Sequence, residues 1–394
     1  MTARPVLRLL PGRERRLKAG HPWAFSNEID MKPAYRAIPA GDVVKLEGDD
    51  GTKFGSFCFN PHSLIAARKL SRDPDAALDR TWLATRLDAA IGLRAKLGLG
   101  EHCRLVHAEA DGFPGLVIDR YGDVAVLQAN SAWADRQVGD LVPLLVDRLS
   151  LRGLVGRNDG SFRALEGLSA EVSLLHGDAS GVNAVEGGVA FPIDPLGGQK
   201  TGFFFDQRPH RDLAAKLAAG ARVLDLFCHT GAFGIRAVAA GAAHATLIDG
   251  SEHALEHARI GAERNGVADR ITTKRQDAFE ALEQLGAAGA QFELVICDPP
   301  AFAKTRKDIE QGLRAYSRLA RLTAPLVAPG GLLFLASCSH HATPEAFVER
   351  CAAGVWKSGR EARIFASGGA GPDHPVHPGL PETAYLKGLW LQLD

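Results

Sequence analysis

The segment that most restricts the fold is Val223-Leu224-Asp225-Leu226-Phe227, followed by Cys228-His229-Thr230-Gly231-Ala232-Phe233-Gly234 and a helical pattern over 235–240. An apolar run of strand length, a tight glycine-bearing turn and a helix make one unit of a parallel sheet. The rhythm repeats to the end of the chain. Strands are predicted at 222–227, 245–249, 271–275, 294–297, 332–336, 362–366 and 386–393, with helices between them. Such a run specifies a doubly wound α/β sheet, whose ligands sit beyond the carboxyl ends of the strands.

The glycines of the first turn decide between cofactors. A dinucleotide site carries G-x-G-x-x-G as a bed for pyrophosphate. This turn offers only Gly231 and Gly234, which lowers the dinucleotide reading and favours S-adenosylmethionine. Asp225, at the end of the first strand, is placed to bind the amino-acid part of that cofactor. Asp249, one βα unit later, is placed for ribose hydroxyls. Asp277, after the third strand, is placed for the adenine amino group. Singly, each aspartate is more often a helix N-cap; it is their order and spacing together that favour the cofactor.

The fourth strand delivers Cys297-Asp298-Pro299-Pro300 to the same edge. Two prolines stiffen the turn and remove N–H donors, leaving Asp298 to face a planar base. The fifth ends Ser337-Cys338-Ser339, on a strand whose adjacency to the fourth the sequence leaves open. A thiol at that edge has a specific use, because carbon 5 of cytosine is too weak a nucleophile for a sulfonium methyl. Thiolate addition at carbon 6 turns the ring into an enamine, so one hard step becomes two easier ones. Cys228 lies in the cofactor turn and Cys297 ends a strand; Cys58, Cys103 and Cys351 read as packing.

At 394 residues the chain is long enough for two or three domains. Turn clusters and changes of pattern divide it at 1–74, 75–190 and 191–394. The first part has short β-type runs at 42–46, 54–59 and 64–70, predicting a small β-barrel. The second, with a helical stretch over 76–97, strands at 103–108, 115–119 and 124–129 and a helix over 134–149, reads as a small α+β unit. No apolar run approaches the roughly 20 residues needed to span a bilayer, so no membrane segment is expected. The start lacks the apolar stretch of a secretory signal. Six cysteines lie singly, without C-x-x-C, which points to reduced thiols and a cytoplasmic protein. His340-His341 and His374/His377 make a poor metal site, and no metal is expected. Basic and acidic groups balance at 46 each, so no global field attracts a polyanion. Residues 4–18, however, hold Arg4, Arg8, Arg13, Arg15, Arg16 and Lys18 against Glu14 alone, a footprint suited to phosphates.

Taken together, these motifs resemble the bacterial ribosomal RNA large-subunit methyltransferase I family, which makes 5-methylcytosine in 23S ribosomal RNA. The likeness runs through Gly20-His21-Pro22-Trp23-Ala24-Phe25-Ser26, Phe59-Asn60-Pro61-His62-Ser63, Thr201-Gly202-Phe203-Phe204-Phe205-Asp206-Gln207-Arg208, Asp225-Leu226-Phe227-Cys228-His229-Thr230-Gly231, Asp298-Pro299-Pro300 and Ser337-Cys338-Ser339. It implies an RNA-binding PUA domain over 1–74, with Arg13, Arg15, Arg16 and Lys18 on RNA. A central α+β domain follows over 75–190, then a Rossmann-like class I methyltransferase domain with a seven-stranded sheet over 191–394. It also implies S-adenosylmethionine bound by Thr201, Gln207, Arg208, Asp225, Phe227, Thr230, Gly231, Asp249, Asp277 and Asp298. Cys338 would be the nucleophile, Asp298 would contact the base, and the assembly would be a homodimer.

Two other readings compete. Methylation of a guanine or adenine nitrogen would need Asp298-Pro299-Pro300 and a stacking aromatic such as Phe302, but no thiol. A non-catalytic RNA-binding assembly factor would need neither.

Overall fold

The computed structural model describes residues 4–198, 201–303 and 305–394. The chain forms two compact units. The first comprises residues 4–182, 193–205 and 372–383; the second comprises 183–192, 206–371 and 384–394.

In the first unit, β1 (Val6–Arg8), α1 (Arg15–Lys18), β2 (Trp23–Ala24), α2 (Pro33–Arg36), β3 (Asp42–Glu47), β4 (Lys53–Phe59) and β5 (Ala67–Ser71) build a curled sheet of order β1-β3-β4-β5-β2. Alternation along β3 puts Val44 and Leu46 into a core with Leu7, Leu9, Phe57 and Phe59. The predicted barrel does not close, because β2 is two residues long and gives way at once to a turn over Ser26–Glu28. No ladder joins β1 to β2. Instead the segment after that turn meets the end of β1, through Leu10 N to Glu28 O at 2.8 Å and Asp30 N to Arg8 O at 3.0 Å.

A second sheet follows within the same unit, from α3 (Arg80–Lys96), β6 (His102–His107), β7 (Leu116–Tyr121), β8 (Val124–Ala129), α4 (Ala132–Leu149), β9 (Gly153–Asn158), α5 (Phe162–Leu165) and β10 (Glu171–Gly177), in order β10-β9-β8-β7-β6. Only β8 and β9 run parallel, and α4 makes the crossover they require. This helix starts two residues before the predicted position because Ser131 caps it, accepting from Ala134 N. Leu83 and Leu87 of α3, and Leu141 and Leu145 of α4, cover Ile118 and Leu127. Buried ion pairs tie the two sheets: Arg68 meets Glu109 at 2.9 Å and Glu166 at 3.1 Å.

The second unit opens with the hairpin β11 (Asn183–Glu186) and β12 (Val189–Pro192). There follow α6 (Arg208–Leu217), β13 (Arg222–Leu226), α7 (Ala232–Ala239), β14 (His244–Asp249), α8 (Glu252–Arg264), β15 (Ile271–Arg275), α9 (Ala278–Ala287), β16 (Phe292–Cys297), α10 (Ile309–Thr323), β17 (Val327–Ser337), α11 (Pro344–Lys357), β18 (Ala362–Gly368) and β19 (Lys387–Leu393). The seven-stranded sheet has order β15-β14-β13-β16-β17-β19-β18. It is mixed: β13 to β17 are parallel, and β19 runs antiparallel to both neighbours. Strand order reverses between β13 and β16, the switch point at which such sheets bind ligands. β16 and β17 are direct neighbours, which settles the adjacency that the sequence leaves open. Among the described residues no helix is long and apolar enough to cross a membrane.

Candidate active site

Register brings the strand-end residues to one line. Leu226 of β13 lies opposite Ile248 of β14 and Cys297 of β16, and Cys297 lies opposite Leu335 of β17. One residue further along, Phe227, Asp249 and Asp298 therefore emerge side by side, and Cys338 leaves the same edge beyond Ser337.

The turn after β13 has an unusual backbone. Phe227 and His229 both have positive φ, at 59° and 50°, a conformation L-residues adopt at a cost. Gly231, at φ 74°, begins α7, where a Cβ would come within 2.7 Å of Leu247. Gly234 has the same neighbour at 2.2 Å. These two glycines let α7 settle onto β14. Asp249 holds the turn, accepting from His229 N at 2.9 Å and Ser251 N at 2.8 Å. Thr230 is buried within it.

Asp225 is fully buried. Its Oδ2 accepts from Gly234 N at 2.9 Å, while Oδ1 has no partner among the described residues. Burial pushes its carboxyl up to about 8, with the charges of Asp298 and Asp249 adding and Arg211 opposing. Gln207 Oε1, before α6, and Gln276 Oε1, after β15, are also buried acceptors without a partner among the described residues. Unsatisfied acceptors and a carboxylate excess call for a ligand that brings positive charge and N–H or O–H donors. S-adenosylmethionine, with its ammonium, sulfonium, ribose hydroxyls and adenine amine, fits that demand.

Not every predicted ligand is placed alike. Asp277 is exposed and caps α9, its Oδ1 accepting from Phe279 N at 2.9 Å and Glu280 N at 3.1 Å. Thr201 lies in the first unit, buried, with its carbonyl accepting from Tyr121 OH at 3.0 Å. Arg208 begins α6, with Nε 3.9 Å from Glu186. Phe227 packs against Phe279, ring centroids 6.5 Å apart. In the first unit, Arg13 and Arg15 are exposed, whereas Arg16 pairs with Glu28 at 2.8 Å and Lys18 with Asp50 at 3.3 Å. Arg4 is held structurally, donating to Ser56 Oγ and to the carbonyls of Pro74 and Ala76.

Several site residues escape the sequence reading. Glu186 on β11 is buried and bidentate to Arg211, at 2.6 and 2.7 Å, and it also pairs with Arg236 at 2.7 Å. The charges of Asp206 and Asp298 are felt at Arg211. Only the cluster of arginines at 208 and 211 hinted at this knot. Glu186→Ala would leave a buried guanidinium uncompensated, with an expected loss of about 3–5 kcal/mol in denaturant unfolding. A loss under about 1 kcal/mol would show that the knot is dispensable.

The Cys338 turn is held from two sides. Tyr316 of α10 accepts from Ser337 Oγ at 2.9 Å and lies 2.8 Å from Ser339 Oγ, and Ser339 Oγ also accepts from Ala303 N at 3.1 Å. That last bond ties the turn to the loop after Asp298-Pro299-Pro300. Cys338 is half-buried, whereas Cys58, Cys103, Cys228, Cys297 and Cys351 are buried. Burial pushes the Cys58 and Cys297 thiols up to about 12 and also raises those of Cys228 and Cys351.

Comparison with known proteins agrees with this geometry. The profile of the S-adenosylmethionine-dependent methyltransferase family matches residues 165–361, and that of the PUA-like domain matches residues 7–72. The ribosomal RNA large subunit methyltransferase I of Shewanella denitrificans is 35% identical, covering 97% of this chain and 98% of that protein. Its counterpart in Aeromonas hydrophila is also 35% identical, over 97% of each chain. The chain belongs to the ribosomal RNA large subunit methyltransferase I family. As a member it is an S-adenosylmethionine-dependent methyltransferase. Two solved structures, each 20% identical, share the fold. One, a candidate methyltransferase complexed with SAH, has a TM-score of 0.83 and covers 99% of this chain and all of that one. The other, a candidate SAM-dependent methyltransferase from Streptococcus mutans, has a TM-score of 0.82 over 98% of this chain and all of that one.

Proposed function

We propose that the protein methylates carbon 5 of a cytosine in 23S ribosomal RNA, with Cys338 as the covalent nucleophile. The carrying observation is that Cys338, the one cysteine not buried, stands at the sheet edge that presents Asp225, Asp249 and Asp298.

When bound, S-adenosylmethionine supplies an electrophilic methyl group on a sulfonium. Asp225 and Gln207 would hold its amino-acid end as acceptors, and Asp249 and Gln276 would hold the nucleoside. Asp298 accepts from the exocyclic amine of the cytosine, which fixes the ring in the site. The Cys338 thiolate then adds to carbon 6, and the displaced electron pair makes carbon 5 nucleophilic toward the methyl. Loss of the carbon-5 proton to a base expels the thiolate and restores aromaticity. Tyr316 and the two serines orient the nucleophile throughout. Phe302, partly buried at the edge of the core, packs against Tyr316 with centroids 4.8 Å apart.

Mass mapping of 23S rRNA from cells lacking the protein tests this reading. One 5-methylcytosine is expected to disappear and to return with the wild-type gene but not with Cys338→Ala. An unchanged map refutes it.

RNA recognition rests on the PUA-like match and the exposed arginines. Arg13→Ala combined with Arg15→Ala should weaken RNA binding for all sequences alike and reduce the salt slope by about 2. An unchanged slope in filter binding from low to moderate salt would remove this patch from the interface.

A further inference from the structure

Lys387 begins β19, opposite Ser337 in the antiparallel pairing with β17. Its side chain is buried. The ammonium donates to Ser339 O at 2.6 Å and to Ala342 O at 2.9 Å, the carbonyls of the turn that carries Cys338. Among the described residues no carboxylate lies within ion-pair distance of it. A buried ammonium held by two carbonyls alone is a charge without a counter-ion, and such groups are rare unless paired. Its ammonium has a third proton beyond the two donated to carbonyls.

We infer that Lys387 is a positioning residue for Cys338, holding a fixed positive charge beside the thiol so that the thiolate forms near neutral pH. This rests on Cys338 being the nucleophile. The two charges respond to each other: burial lowers the ammonium's proton affinity, and the Cys338 charge restores part of it. From α10, Tyr316 also feels Cys338, but as a buried phenol raised by burial it contributes hydrogen bonds and no cation. His340, its ring tilted against that of Tyr385 with centroids 5.5 Å apart, is another titratable group of this turn. Thiolates stabilised by a neighbouring cation titrate well below the usual thiol range. The thiol proton passes to solvent, and Lys387 keeps its own three protons throughout.

The test is the pH dependence of Cys338 alkylation by iodoacetamide in the full-length protein, read on the Cys338 peptide by mass spectrometry. Wild type should show a midpoint below the roughly 8.5 of an ordinary thiol. Lys387→Met should raise it by about one pH unit or more and lower kcat, while Lys387→Arg stays near wild type. An unshifted midpoint in Lys387→Met overturns the inference. So does a wild-type midpoint at or above about 8.5, a reading that holds even where Lys387→Met does not fold. Failure of the nucleophile assignment is recognised separately, because Cys338→Ser would then retain methyl transfer whatever the alkylation midpoint.

Discussion

Cys338→Ala abolishes methyl transfer to RNA, by about 10⁴-fold or more in kcat, while S-adenosylmethionine binds as it does to wild type. The size follows from the reaction. Without covalent addition at carbon 6 the cytosine carbon has no usable electron pair, and the loss exceeds about 5 kcal/mol of transition-state stabilisation. The selectivity follows from the structure. Cys338 emerges beyond the end of β17, whereas the candidate cofactor acceptors Asp225, near the end of strand β13, and Gln276, just after β15, lie on the far side of β16. The neighbouring serines, both fully buried and bonded to Tyr316, hold the turn in shape after the thiol is removed. Single-turnover assays with labelled cofactor, alongside calorimetric cofactor titration, read the two effects separately. Loss of cofactor binding together with activity would mean that Cys338 is structural. Retained activity would exclude covalent catalysis.

Asp225→Asn weakens S-adenosylmethionine binding by about 10- to 100-fold, the cost of a charge-assisted hydrogen bond replaced by a neutral one. It should also change how binding responds to pH. In the unliganded protein the Asp225 carboxyl holds its proton up to about 8, because it is buried near two other carboxylates. A cationic ligand stabilises the ionised form and lowers that value, so binding releases a proton and affinity rises with pH up to about 8. Titrations in buffers of different ionisation enthalpy measure this proton directly, and Asp225→Asn should release none from this site. The same group bears on stability. Its folded value lies above its unfolded one, so its contribution is complete below the unfolded value near 3.8 and is lost as pH rises through about 8. Unliganded wild type should therefore lose stability over that interval, and Asp225→Asn should lose less. Equal pH dependence in the two proteins would show that Asp225 titrates normally.

Part of the site was legible because strand-end positions are local. Leu224-Asp225-Leu226 could be placed at the end of a strand from its own apolar run, and the same holds for Asp249 and Asp298. Caps are local too: Asp277, placed after a strand, accepts through Oδ1 from the first N–H groups of α9. Register, burial and ion pairing are not local. Glu186 stands between 22 and 50 residues from the three arginines around it, and nothing in its own neighbourhood, Asn183-Ala184-Val185-Glu186, marks it as the centre of a charge knot.

The sequence by itself determined a doubly wound sheet, a cofactor turn too poor in glycine for a dinucleotide, and aspartates ordered along successive strand ends. Periodicity and turn chemistry operate over a few residues, so they survive in one dimension. Tertiary structure decided the rest. It left the N-terminal sheet open, because a two-residue strand cannot complete a ladder with β1. It also left Cys338 partly accessible while burying the other five cysteines, and set Lys387 opposite Ser337 through the pairing of β17 with β19. That pairing joins Ser337 and Lys387, which lie 50 positions apart, and only the folded sheet supplies it.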